Sequence, residues 1–178
     1  GYTTGTVTAT IEDTRVSDLL GSTPLLDAND NNAFTITIGT ADAEITAANL
    51  NSLNDLTSVA IEAGNVTQIT GTVAVTNSTY AAGANSQING LGNEDVVISG
   101  ESSNTLSDAS TLNTLDGYTT GTVNAGSLTT IQGDLSDLLT AYASNGITGL
   151  GNEAITLDDT TSIAATDLNT LDLSLIHI

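Results

Sequence analysis

Residues 113–131 read NTLDGYTTGTVNAGSLTTI, and most of this stretch is written elsewhere in the chain. Gly117-Tyr-Thr-Thr-Gly-Thr-Val123 repeats Gly1-Tyr-Thr-Thr-Gly-Thr-Val7 without a change. Leu-Asn-(Ser/Thr)-Leu-(Asn/Asp) begins at Leu50, Leu112 and Leu168. Gly-Leu-Gly-Asn-Glu occupies Gly90–Glu94 and again Gly149–Glu153. Phrases recurring every several tens of residues are the mark of a repeat array. The phrases divide the chain into units 1–56, 57–116 and 117–172.

Within each unit the period changes. Val7–Ile11, Phe34–Ile38, Val59–Ile61, Val96–Ile98, Val123–Ala125 and Ile155–Leu157 alternate with β-branched residues and read as strands. Helical spacing follows most of them. Leu135, Leu138, Leu139 and Tyr142 fall on one helical face, as do Ala164, Leu168 and Leu171; Leu106, Ala109, Leu112 and Leu115 step by three. Ser107 and Ser162 are the expected N-caps, and Gly117 the expected C-terminal stop. The expectation is an α/β repeat solenoid: parallel strands stacked in rungs, with short helices as the crossovers. The shorter runs Val66–Ile69 and Leu128–Ile131 keep an all-β solenoid open, with the helical segments as turns. Segment 76–90 reads as an irregular insert.

Composition narrows the function. Twenty-one Asp and Glu stand against one basic residue, Arg15, for a net charge of -20. Phosphate backbones need Lys and Arg, so nucleic acid is excluded as a partner. Anionic membrane surfaces would repel the chain, and no apolar run reaches the length of a span. Cysteine is absent, which removes disulfides, thiolate metal sites and thiol catalysis. Nucleophilic hydrolysis needs a base beside Ser, and phosphoryl transfer needs Lys or Arg. The expectation is that the chain is not an enzyme.

The ending Leu173-Ser-Leu-Ile-His-Ile178 resembles a translated sequencing adapter. It is set aside from the fold, and with it His177, the sole histidine; the natural chain is expected to run on past Asp172.

The stretches NTLDGYTTGTVNAGSLTTI and GITGLGNEAITLDDT resemble the tandem repeats of giant secreted surface proteins of marine bacteria, cyanobacteria especially. The resemblance covers nearly all of 1–172, is strongest in 112–172, and carries over no catalytic residues. It implies secretion, a place outside the cell or on its surface, and a structural or adhesive task. Two alternatives stand beside that one. One is a calcium-dependent module binding glycans or surfaces; the other is a polysaccharide-active solenoid enzyme.

Calcium is the one candidate cofactor. Asp27, Asn29, Asp30 and Asn31 crowd hard oxygen donors into one loop. Asp55 and Asp116 close helical phrases, where an acid opposes the helix dipole and a cation would relieve it. For the loop the alternative is a polar hairpin-like turn, and for the helix ends an acid solvated in salty water. Asn51, Asn113 and Asn169 recur at one phrase position, as members of a hydrogen-bonded ladder or as surface groups. The expected partners are neighbouring repeats and cell-surface glycans.

Overall fold

The computed structural model describes residues 7–11, 15–21, 33–159 and 162–175. Helices and short strands alternate along them. In chain order they are β1 (Thr8–Ile11), α1 (Val16–Leu19), β2 (Ala33–Ile36), β3 (Glu44–Thr46), α2 (Ala47–Asp55), β4 (Ile61–Glu62), β5 (Gln68–Gly71) and α3 (Val73–Ala84). There follow β6 (Ile88–Asn89), β7 (Asp95–Ile98), β8 (Thr105–Leu106), α4 (Ala109–Asp116), β9 (Val123–Asn124) and β10 (Thr130–Gly133). The last are α5 (Leu135–Ala143), β11 (Ile147–Thr148), β12 (Ala154–Leu157) and α6 (Ala165–Leu175).

The strands pair in parallel, as expected for strands joined through helices. One sheet has the order β11-β9-β7-β5-β3, a second β12-β10-β8; β1 pairs with β2 and β4 with β6. The runs near 66–69 and 128–131, weak in the sequence, supply β5 and β10, which are interior strands. The helical segments are helices of eight to twelve residues from α2 to α6, so they are not the turns of an all-β chain.

Register explains which residues form the core. Ile45, Ile69, Val96, Val123 and Ile147 lie directly opposite one another across the five-stranded sheet. The three middle members are fully buried, and the two end members nearly so. Each fully buried Ile or Val is worth about 1.5–3 kcal/mol over leaving it in water. Leu50, Leu53, Leu112, Leu115 and Leu138 close the same core from the helices.

Strand β7 has a double role. β3 and β5 lead directly into helices, whereas β9 and β11 leave them. β7 pairs with β5 on one side and β9 on the other, and α3 and α4 are separated by three strands.

Several local expectations are corrected. Segment 76–90 is mostly α3, the longest helix of the described residues. Its buried side includes Thr76, Thr79, Tyr80 and Ala82, without the leucine stripe of the other helices. Thr79 Oγ1 satisfies itself on the Val75 carbonyl at 3.1 Å and the Asn51 Oδ1 at 2.9 Å, so hydroxyls take the place of aliphatics. Leu106 belongs to β8, and the N-cap of α4 is Asp108, whose carboxylate accepts from Ser110 N at 2.9 Å. Ser162 lies three residues ahead of α6. Gly117 does end α4, but with φ -69°, so its lack of a side chain is not used for a left-handed turn.

Candidate functional site

The acids do something that composition alone conceals. The first amide of α1, at Val16, donates to Asp42 Oδ2 at 3.2 Å. The first amide of α3, at Val73, donates to Glu101 Oε1 at 2.7 Å. The first amide of α5, at Leu135, donates to Asp159 Oδ2 at 2.8 Å. Each carboxylate lies 24 to 28 residues along the chain from the amide it accepts. A negative group at a helix N-terminus is favoured by both the open N–H groups and the dipole. Three acids thus bind one layer of chain to the layer before it.

The two Gly-Leu-Gly-Asn-Glu phrases build a second device. Glu94 is fully buried. Its Oε2 accepts from Gly92 N at 2.9 Å, Asn93 N at 3.2 Å and the Tyr80 hydroxyl at 3.0 Å. Glu153 Oε2 accepts from Gly151 N at 2.7 Å and from the Tyr142 hydroxyl at 2.8 Å. The glycines are required. Gly90 and Gly149 have φ of +84° and +82°. A Cβ there would come within 2.8 Å of Gly64 and 2.7 Å of Gly126, respectively. Burial, and after it the charge of Glu94, pushes the Tyr80 phenol far above its usual range. Burial, and after it the hydrogen bond to Glu153, does the same to Tyr142.

Around Tyr80 the Glu94 turn gains an aromatic partner. Its ring stacks on Tyr118 with centroids 5.6 Å apart and planes 6° from parallel. Both rings line a cavity of about 260 Å³, with Asn89 and Leu91 on its wall. Glu94 Oε1 is buried and has no hydrogen-bond partner.

A third set of contacts joins the helices. Asn51 Nδ2 donates to the Val75 carbonyl at 3.4 Å, Asn77 Nδ2 to Thr111 at 2.9 Å, and Asn113 Nδ2 to Asp137 at 2.9 Å. Each amide reaches from one helix to the main chain of the next. Asn51 and Asn113 are ladder members, and Asn77 is one that the phrase pattern missed. Asn169 is exposed.

Of the candidate calcium ligands, Asp27, Asn29, Asp30 and Asn31 lie outside the described residues. Asp55 and Asp116 close α2 and α4, and α3 packs against both of those helices. Asp116 Oδ2 accepts from Ser144 Oγ at 2.7 Å, and Asp55 is exposed. Among the described residues no three His, Cys, Asp or Glu gather as metal ligands, and no helix is long and apolar enough to cross a membrane. The capping roles of Asp42, Glu101 and Asp159 are not among the expectations drawn from composition and motifs. The usable signal was their spacing of 58 to 59 residues, which matches that of the recurring phrases.

Comparison with known proteins finds no matching family model, no matching curated protein and no matching solved structure.

Proposed function

We propose that the chain is a structural or adhesive module of a large secreted surface protein, a solenoid segment acting as a stiff, acidic extracellular spacer. The observation that carries the reading is the regular spacing of its contacts. Parallel strand partners, helix-capping acids and helix-bridging asparagines all join residues about two dozen to three dozen positions apart. Chains whose layers touch only their neighbours extend instead of rounding up. Three acids and three asparagines join its layers, and its net charge of -20 keeps such spacers apart in solution. No catalytic step belongs to this reading.

A second reading, a glycan- or surface-binding module, is favoured by the Tyr80–Tyr118 stack on its cavity of about 260 Å³. Sites of this kind combine aromatic walls with a few polar groups, here Asn89.

X-ray scattering from one, two and three tandem copies of residues 57–172 tests the spacer. The expected maximum dimension grows linearly, by roughly 4.8 Å for each added strand layer. Growth with about the 0.38 power of length, as for compact domains, would sink it. Saturable binding of oligosaccharides, lost in Tyr118→Ala, would favour the second reading.

A further inference from the structure

The pentapeptide Leu-Asn-Thr-Leu-Asp occurs at 112–116 in α4 and, identically, at 168–172 in α6. In α4 it is covered. Leu112 is fully buried, Asn113 donates to the Asp137 carbonyl of α5, and Asp116 receives Ser144 Oγ from the residue just after α5. In α6 the same residues face outward: Leu168 is 47% exposed, and Asn169 and Asp172 are exposed. Leu168 and Leu171 line an open apolar groove of about 490 Å³ with Ile155 and Leu157 of β12. Among the described residues β12 is the end strand of its sheet, with β10 on its other side.

We infer that the β12–α6 face is a docking site for one further strand-and-helix unit of the kind formed by β9, β10 and α5. The identical pentapeptide specifies that occupant. Leu168 needs an apolar helix face over it, such as the one carrying Leu138. Asn169 needs a helix main-chain carbonyl, as Asp137 provides for Asn113. Asp172 needs a hydroxyl donor past the helix end, as Ser144 provides for Asp116. The free edge of β12 takes a parallel strand, as β10 took β12. The inference rests on the spacer reading and names the surface through which the spacer extends.

The test joins a second copy of residues 117–172 directly after Asp172, recreating the Asp116–Gly117 junction. Amide hydrogen exchange is followed at residues 168–171 in this extended chain and in the chain of 178 residues. The expected result is exchange slowed by at least about tenfold at those amides in the extended chain. Leu168→Asp should abolish that protection, yet leave urea unfolding of the shorter chain unchanged, because the side chain there is exposed. Equal exchange in the two chains overturns the inference, whether the added copy folds separately or stays unfolded. Scattering on the extended chain separates the two ideas: a rod that lengthens without protecting α6 removes the docking face alone, and a compact globule removes the spacer reading as well.

Discussion

Glu101 accepts the first backbone N–H of α3, that of Val73, from 28 residues further along the chain. The helix's own N-cap, Thr72, accepts from Val75 at 3.2 Å, so the two acceptors share the open amides between them. Removing the distant one should therefore be felt even though the local cap survives. Glu101→Ala is expected to cost about 1 kcal/mol in urea unfolding, the usual value of a lost cap. Glu101→Gln, which keeps an acceptor and loses the charge, should cost less. Equal stability of all three proteins would mean that the contact contributes nothing.

Tyr80→Phe strips one donor from a carboxylate that is fully buried. The two loop amides remain, so the expected loss is about 1–3 kcal/mol and not a failure to fold. Tyr142→Phe should fall in the same range, since Glu153 also keeps a loop amide. Chemical denaturation of both variants checks this. A neutral outcome for both would show that the Gly-Leu-Gly-Asn-Glu turn holds its carboxylate without the phenol.

Stability should bend at both ends of the pH scale. Tyr80 and Tyr142 have folded values raised above the ordinary 10.0. Their contribution is complete below about pH 10 and is lost as pH rises toward the folded values, because only the unfolded chain ionises easily. Asp95 moves the other way: the Thr122 backbone amide first, and then its hydroxyl, hold the carboxyl below 3.8. Its contribution is present above about pH 4 and fades as pH falls further. Phenolate absorbance should show two tyrosines ionising only together with unfolding. Four tyrosines titrating together near pH 10 would contradict the buried phenols.

Asn113→Asp should destabilise more than Asn113→Ala at neutral pH. The alanine loses one hydrogen bond, worth about 1 kcal/mol. The aspartate points a negative oxygen at the Asp137 carbonyl in a partly buried place, where charge without a donor is expensive. Thermal melts at pH 7 and pH 3 check the sign, since protonating the new acid should narrow the gap. An Asp variant as stable as wild type would show that the amide bridge is dispensable.

Much of the fold could be read from the residues. Most β-branched alternations marked strands, though Val59–Ile61 meets β4 only at Ile61, and Leu135–Tyr142 marked α5, because a strand or helix buried on one face must show its period. α3 was hidden because its buried side is Thr, Ala and Tyr, whose hydroxyls are satisfied on carbonyls of the preceding turn or of α2, or on Glu94. Nothing in a hydropathy pattern separates such a helix from a polar loop. β5 and β10 are faint in the sequence because two of the four residues in each are not strand formers, namely Gln68, Gly71, Gln132 and Gly133. Asn51 and Asn113 were legible as a ladder since they sit beside the buried leucines of a repeated phrase. The partner of Glu101 was not, because pairing over 28 residues depends on register, which a one-residue change in any loop would alter.

The capping acids also impose an order on events at the ribosome. α1, α3 and α5 each emerge two dozen or more residues before the carboxylate that completes their first turn. With N-terminal segments appearing first, the first amide of each of these helices stays without its carboxylate until the later segment has been made. For these three helices the nascent chain finishes its earlier part last, since the acid that closes each first turn is translated well after the helix itself.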